Sequence, residues 1–240
     1  MIQHFVSCGI THKGRVRERN EDAFIERSDI GLWAVADGAG GHGSGDVASA
    51  AVVAALADLP SGLSAAELLA QVRLRLSAVH ADLQHRRLPN GPTQIMASTA
   101  VVLMARKDHF ACLWAGDSRA YLFRAGRLIP LTKDHSLVQD LVDSGLVEAA
   151  AASAHPRSNV ITRAVGADGP LELDKNSAEL AQGDMFLLCS DGLHGALQDT
   201  AIARMLSAGA DAESLIEAAL DGGSRDNVTA VLIRAPGPAE

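Results

Sequence analysis

The stretch TAVVLMARKDHFACLWAGDSRAYLFR, residues 99–124, indicates the fold. It holds three apolar runs rich in strand-forming residues, Thr99–Ala105, Phe110–Ala115 and Ala120–Arg124. Very short connections separate these runs, and such connections join antiparallel strands, because a parallel pair needs a crossover of about a dozen residues or more. The three runs are therefore predicted to form an antiparallel meander.

Strand-like and helix-like segments on either side of this stretch occur in groups. Further short β-type runs are His4–Ile10, Ala23–Glu26, Leu32–Ala36, Leu171–Leu180, Met185–Cys189 and Val228–Arg234. The helical segments are Asp46–Leu59, a helix that begins at the capping box Ser64–Glu67, Thr200–Ser207 and Ala212–Leu220. Several strands are apolar on both faces, which is typical of strands packed between layers. This grouping predicts an α+β fold built in layers.

The composition predicts one domain over residues 1–240. The 240 residues are 48% hydrophobic and 21% charged, which is an ordinary balance for a globular domain. A chain of this length buries enough surface to fold without disulfides or a structural metal, so a metal found here is expected to be functional. The tail, residues 235–240, is expected to be flexible.

Charge and hydropathy exclude several classes of partner. The formal net charge is −8 and the basic residues are scattered, so nucleic acid is not expected as a partner. The longest apolar run, about Ala48–Ala57, is much shorter than the roughly 20 residues of a membrane-spanning helix. The first residues lack the features of a secretory signal. Cys8, Cys112 and Cys189 are odd in number and lie in apolar, strand-like settings, which predicts reduced core thiols and a cytoplasmic location.

Four aspartates share one setting, at the end of an apolar strand beside small or turn-forming residues. They are Asp37 in WAVADG, Asp117 in LWAGDS, Asp191 in FLLCSDG and Asp226 in SRDNVTAVLI. Turn chemistry explains any one of them alone. If the strand ends align, the four carboxylates meet at one edge of the sheets, where burial and repulsion would be costly without cations. Oxygen ligands favour Mg²⁺ or Mn²⁺, and the sequence has no zinc-binding pattern.

A site of this kind predicts phosphoester hydrolysis. Two cations on carboxylates make hydroxide from water near neutral pH and hold the attacking and leaving oxygens of an in-line displacement at phosphorus. The phosphate also needs a cationic group, and the arginine fork matches its oxygens. Arg17 and Arg19, in VRERNED, are the candidates, although exposed arginines are commonly only solvated.

The glycine-rich segment Gly38–Gly43 offers a remote alternative. Its sequence, GAGGHG, matches the G-x-G-x-x-G of dinucleotide sites and stands between a strand and a helix. Asp37 would place a like charge beside the pyrophosphate, and the next element is a second helix instead of a parallel strand. A dinucleotide-binding enzyme is therefore the less favoured interpretation, and NADH titration would test it.

A series of motifs covers nearly the whole chain, from about Ile10 to Ile233. In order they are VRERNEDAF, VADGAGGHGSGDVAS, STAVVLM, WAGDSRAYLFR, LTKDHSLVQDLVDSG, HPRSNVITRAVG, GDMFLLCSDGL and SRDNVTAVLI. Together they resemble the bacterial metal-dependent protein phosphatases of the protein phosphatase 2C type. The resemblance implies a four-layer α/β/β/α sandwich of two antiparallel sheets with a small flap. It also implies hydrolysis of phosphoserine and phosphothreonine on proteins by a hydroxide that bridges two Mn²⁺ or Mg²⁺ ions.

The resemblance assigns metal ligands position by position. Asp37 would bridge both metals, and the carbonyl of Gly38 would bind one of them. Asp191 and Asp226 would hold the other metal. Asp117, together with Asp191, would serve a weaker third site.

The resemblance also assigns residues around the metals. Glu21 and Asp22 match acids that support the metal-bound waters, and Arg17 matches the phosphate-binding arginine, whereas the family does not fix the position of Arg19. His42 is the candidate acid that protonates the departing seryl oxygen. A neutral histidine that caps the glycine-rich turn is the competing interpretation for His42.

The segment Ser136–Ala164 is similar to the flap of the family. Its stretch EAAAASAHP, Glu148–Pro156, is rich in alanine where relatives tend to carry acids. Alanine favours helix, so the flap is predicted to be helical and partly mobile.

The resemblance implies phosphorylated proteins as substrates and a Ser/Thr protein kinase as the opposing enzyme. Relatives that consist of this domain alone suggest control of type VI secretion as one setting. A catalytically silent phosphoprotein-binding module of the same fold is the alternative, and loss of a metal acid would indicate it; none is missing from the sequence.

Overall fold

Two antiparallel sheets pack against each other in the computed structural model, which describes residues 5–40, 44–86 and 96–235. The first sheet has the order β1 (Val6–His12), β11 (Val228–Arg234), β10 (Met185–Cys189), β7 (Arg119–Arg124) and β8 (Arg127–Pro130). The second sheet has the order β2 (Asp22–Arg27), β3 (Leu32–Ala39), β5 (Ala100–Arg106), β6 (His109–Ala115) and β9 (Asp174–Glu179), with β4 (Ala97–Ser98) paired to β3. Every strand pair is antiparallel.

Helices cover the outer face of each sheet. The second sheet is covered by α1 (Gly45–Ala57) and α2 (Ala65–His85). The first sheet is covered by α4 (Asp191–His194), α5 (Asp199–Ser207) and α6 (Ala212–Asp221). Three apolar clusters fill the spaces between the layers, one under each helical layer and one between the sheets. The predicted four-layer α/β/β/α sandwich is confirmed.

Helix α2 begins at the predicted capping box. The Ser64 hydroxyl accepts a hydrogen bond from the Glu67 amide, and the Glu67 carboxylate accepts one from the Ser64 amide. These bonds satisfy amides that have no partner inside a helix. The buried residues of the helix recur at helical spacing and include Leu68, Val72, Leu76, Val79 and Leu83.

The predicted meander is wrong at its third strand. Strands β5 and β6 form a hairpin in the second sheet, but β7 belongs to the first sheet, where it pairs with β10 and β8. The chain changes sheet at Gly116, whose φ is +112° and where a Cβ would lie 2.6 Å from the Thr99 side chain. Only glycine fits such a turn readily. The crossing places Asp117 between the two sheets.

The prediction of three core cysteines is wrong for Cys8. Cys112 in β6 and Cys189 in β10 are buried, whereas Cys8 is exposed. Strand β1, which carries Cys8, is the edge strand of the first sheet, so its apolar sequence is only partly covered.

The flap between β8 and β9 contains two helical pieces. Helix α3 (Leu137–Asp143) is an α-helix, and the alanine-rich stretch forms a short 3-10 helix, Ala149–Ala154. The helical prediction is therefore right for both pieces, although alanine propensity alone does not distinguish these helix types. The mobility of the flap stays a prediction.

Strand β11 ends at Arg234, just before the predicted flexible tail. Ala235, the first residue of the predicted flexible tail, is buried, and its amide donates to the Asp184 carbonyl. Residues 236–240 lie outside the described residues, as does His42. No helix in residues 5–40, 44–86 and 96–235 is both long and apolar enough to cross a membrane.

Candidate functional site

An acidic cavity of about 210 Å³ opens at the strand ends where the sequence places its four aspartates. The predicted site residues that the structure describes line this cavity, except Asp22 and the alternative arginine, Arg19. They are Arg17, Glu21, Asp37, Gly38, Asp117, Asp191 and Asp226. Asp22 pairs with Asp37 across strands β2 and β3 and is buried beside the cavity.

The two sheets bring the four aspartates together from distant parts of the sequence. Asp37 lies near the end of β3 in the second sheet. Asp191 follows β10 and Asp226 precedes β11, and these neighbouring antiparallel strands place both residues at one edge of the first sheet. Asp117 reaches the same edge because the chain crosses between the sheets there.

The backbone at Gly38 needs the absence of a side chain. A Cβ at Gly38 would collide with the carbonyl of Gly45, the first residue of α1, and would lie 2.7 Å from the Glu21 carbonyl. Close approach of this kind is a common reason for glycine. The absence of a side chain at Gly38 lets β3, α1 and the segment around Glu21 pack together beside the cavity.

Burial and mutual repulsion raise the pKa values of Asp37, Asp117 and Asp191. Burial raises the pKa of Asp37 well above its ordinary value, and the charges of Asp22, Asp191 and Asp117 add to this effect. Burial and then the charge of Asp226 raise the pKa of Asp191 to about 6. Burial and then Asp191 raise the pKa of Asp117 to about 7. The cluster therefore favours cations or protons over bare carboxylates.

Asp22 is buried beside the cavity and bonds to two hydroxyl groups. Its Oδ2 accepts hydrogen bonds from the hydroxyls of Ser190, at 2.7 Å, and Thr229, at 2.6 Å. Burial raises its pKa to about 7, although these two bonds act in the opposite direction. Both hydroxyls come from the first sheet, so Asp22 joins the second sheet to the strands that carry Asp191 and Asp226.

The donor set of the cavity fits a divalent cation. In the described residues, Asp22 Oδ1 and Asp191 Oδ1 are the buried side-chain oxygens without a hydrogen-bond partner. Such atoms are costly unless something occupies them, and hard cations such as Mg²⁺ and Mn²⁺ prefer oxygen ligands. In the same residues, no group of three or more His, Cys, Asp or Glu side chains is arranged to hold a metal ion as it stands. The Asp226 carboxylate is engaged in an ion pair with Arg17.

Arg17 is held at the mouth of the cavity by an ion pair and an organised loop. Its Nη2 donates to Asp226 Oδ2 at 2.5 Å, which raises the pKa of Arg17. Arg19 does not line the cavity, and its guanidinium lies 4.0 Å from the Asp46 carboxylate. The structure therefore brings Arg17, and not Arg19, to the acidic cluster.

Asn227 and Thr99 also shape the site, although neither belongs to the recurring pattern of an aspartate at a strand end. The Asn227 side chain donates to the carbonyls of Lys13 and Arg19 and accepts from the Glu21 amide, so it holds the loop that carries Arg17. The Thr99 hydroxyl accepts from the Asp37 amide. Asn227 stands within the motif SRDNVTAVLI, which was the available signal.

The sequence model of the family described as protein phosphatase 2C matches residues 9–224. The chain belongs to the protein phosphatase 2C family. This confirms the resemblance inferred from the motifs. A family relative, the serine/threonine protein phosphatase PstP of Mycobacterium tuberculosis, is 40% identical over 227 residues. The match covers 92% of this chain but only 43% of PstP, so the chain spans less than half the length of this relative.

Solved structures of protein phosphatase 2C relatives have the same fold. PppA, described as a key regulatory component of T6SS in Pseudomonas aeruginosa, is 39% identical with a TM-score of 0.89, and the match covers 97% of this chain and 98% of PppA. The catalytic domain of PstP, solved in complex with two manganese ions, is 36% identical with a TM-score of 0.81. That match covers 96% of this chain and 98% of the PstP domain.

Proposed function

We propose that this protein is a metal-dependent phosphatase that removes phosphate from phosphoserine and phosphothreonine of proteins. The observation that carries the proposal is the cavity itself, in which carboxylates with raised pKa values and an unpartnered buried oxygen stand beside Arg17. Membership of the protein phosphatase 2C family and the manganese-bound PstP domain support it. The antiparallel neighbours of β3 argue against a dinucleotide site, which needs parallel strands.

The proposed cations are two Mn²⁺ or Mg²⁺ ions, with a weaker third. Asp37 would contact both ions of the pair, the Gly38 carbonyl one, and Asp191 and Asp226 the other. Asp117, with Asp191, would hold the third ion. When bound, the pair supplies a hydroxide near neutral pH for direct attack on phosphorus and neutralises the charge that develops.

The remaining residues of the site would bind the phosphate of the substrate and water in the cavity. Arg17 would donate to the non-bridging phosphate oxygens, since its guanidinium already lies at the mouth of the cavity. Glu21 and Asp22 would accept hydrogen bonds from water in the cavity. Burial raises the pKa of Glu21, and burial likewise raises the pKa of Asp22.

His42 is proposed as the acid that protonates the departing seryl oxygen. A replacement of His42 should then slow substrates with poor leaving groups more than p-nitrophenyl phosphate. An equal loss on both kinds of substrate would instead assign His42 a structural role in the glycine-rich turn.

Residues 1–240 are proposed to form a single catalytic domain that acts in the cytoplasm. The buried thiols of Cys112 and Cys189 fit a reducing compartment. We propose a Ser/Thr protein kinase as the enzyme whose phosphorylation it reverses. Regulation of type VI secretion is one candidate setting, supported by the similarity to PppA.

Phosphate release from a phosphothreonine peptide tests the proposed function. Release should require Mn²⁺ or Mg²⁺, cease with EDTA and be abolished by Asp191→Ala. Asp108→Ala is the matched control, because Asp108 is exposed and pairs with His109 away from the cavity. Binding of the phosphopeptide without release by folded, Mn²⁺-loaded protein would overturn the phosphatase proposal in favour of a silent binding module.

A further inference from the structure

A second cavity continues from the acidic one between α4 and the turn that joins α6 to β11. It has a volume of about 470 Å³ and shares Arg17, Asn159, Asp191 and Asp226 with the acidic cavity. This size lies in the range of ligand-binding clefts. A substrate whose phosphate enters the acidic cavity therefore has an open path for the neighbouring part of its chain.

Glycines form much of the wall of this second cavity. A Cβ at Gly192 would collide with the Asn227 carbonyl, and one at Gly195 would lie 2.8 Å from the Asp191 carbonyl. On the facing wall, Gly222 and Gly223 belong to the turn between α6 and β11. Gly192 thus lets α4 pack closely against Asn227, and backbone lines much of the cleft at these four positions.

Arg225 is an exposed cation that lines this cleft. Its side chain is exposed and makes no ion pair or side-chain hydrogen bond within residues 5–40, 44–86 and 96–235. The two nearby arginines of the N-terminal loop are already engaged, Arg15 with Asp221 and Arg17 with Asp226. A free guanidinium presents a fork of donors that matches a carboxylate.

The loop that carries Arg225 is fixed at both ends. The Ser224 amide donates to the Ala219 carbonyl, and the Asn227 amide donates to Asp226 Oδ1. Asn227 is in turn bonded to the loop that carries Arg17. The position of Arg225 relative to Arg17 is therefore set by the backbone, even though its side chain is exposed.

We propose that this glycine-walled cleft binds the substrate residues next to the phosphorylated one and that Arg225 selects acidic side chains there. The inference rests on the proposed phosphatase function and names the class of phosphoprotein that this site prefers. Arg225 is a specificity-determining residue in this account and takes no part in the chemistry. On a protein with a net charge of −8, a local cation at the cleft is needed to attract an acidic segment.

The test compares kcat/KM on phosphothreonine peptides with glutamates, alanines or lysines on either side of the phosphorylated residue. Wild-type protein should prefer glutamate to lysine on at least one side. An exposed ion pair changes an equilibrium by up to about fivefold, and charge reversal adds a repulsion of similar size. Arg225→Glu should therefore shift the glutamate-to-lysine ratio by about tenfold or more towards lysine, while Arg225→Lys should keep most of the preference.

Arg127→Glu is the matched control, because Arg127 is an exposed arginine of β8 that lines neither cavity. It should leave the ratio unchanged. A ratio that Arg225→Glu does not alter on either side, in protein that still releases phosphate, would overturn this inference and leave the phosphatase function intact. Failure of wild-type protein to release phosphate from every peptide would overturn the phosphatase function itself.

Discussion

The two ends of strand β10 carry aspartates in opposite circumstances. Asp184, just before the strand, is fully buried, and both of its oxygens accept hydrogen bonds from Arg124 at 2.6 Å. Asp191, just after the strand, leaves Oδ1 buried without a partner and has its pKa raised to about 6. The ion pair of Asp184 holds β10 to β7. The unpartnered oxygen of Asp191 instead indicates a binding site for a ligand such as a cation.

Replacement of Asp37, whose pKa is raised by burial and then by the neighbouring carboxylates, is expected to change activity most. Asp37→Asn should lower kcat by well over the roughly 100-fold that loss of an outer partner of a metal site costs. The same change relieves repulsion among the carboxylates, so the metal-free variant should melt at the same temperature as wild type or about 2–4 °C higher. Steady-state kinetics and thermal melts in EDTA measure both effects. An Asp37→Asn variant that melts far below wild type and loses activity for that reason would contradict the claim that Asp37 serves the site and not the stability of the fold.

Asp184→Asn should act in the opposite way. It leaves Arg124 beside a neutral side chain at the buried end of an ion pair, which should destabilise the fold by about 3 kcal/mol. Chemical denaturation gives this free energy of unfolding. The folded variant should retain kcat within about threefold of wild type, because Asp184 lines neither cavity. A loss of kcat comparable to that of Asp37→Asn would contradict the distinction between the two kinds of acid.

Arg17→Ala should lower kcat/KM by about 10- to 100-fold, the value of charge-assisted hydrogen bonds to phosphate. Arg19→Ala is its control and should change kcat/KM by less than about twofold, since exposed pairs contribute little. Equal losses of kcat/KM in the two variants would contradict the assignment of phosphate binding to Arg17.

The smallest predicted effect is a pH dependence of stabilisation by Mn²⁺. The folded-state pKa values of Asp191, about 6, and Asp117, about 7, exceed their ordinary value. Their contribution to the stability of the metal-free fold is thus present at low pH and is lost as pH rises from about 4 to about 7. Mn²⁺ needs deprotonated carboxylates, so the rise in Tm that it causes should grow over the same range. A rise in Tm independent of pH would contradict the assignment of these acids.

Most of the layered fold could be predicted from sequence, because strand and helix patterns are local. Strands β10 and β11 were predicted at their observed ends. The sheet to which β7 belongs could not be predicted, since a short connection fixes strand direction but not whether the chain turns at Gly116 into another sheet. The exposure of Cys8 depends on the order of strands in the first sheet, which the local pattern does not contain.

The part of the candidate site that follows a recurring sequence pattern, an aspartate at the end of an apolar strand, could be predicted. Aspartates at strand ends, such as Asp37 and Asp226, could be found because each motif shows strand and acid together. Asn227 could not be recognised in the same way, because its function is to bond Lys13 and Arg19, which are far away in sequence. Arg225 was likewise an ordinary exposed arginine until the fold placed it in the second cavity.

Calorimetric titration of metal-free protein with Mn²⁺ shows whether the acidic cavity is a metal centre. The account predicts binding of about two ions by wild type and by Asp184→Asn, and loss of at least one of them in Asp37→Asn. Wild-type protein that binds no Mn²⁺, or Asp37→Asn protein that binds it as wild type does, would contradict the claim that the carboxylates of the acidic cavity form a metal centre.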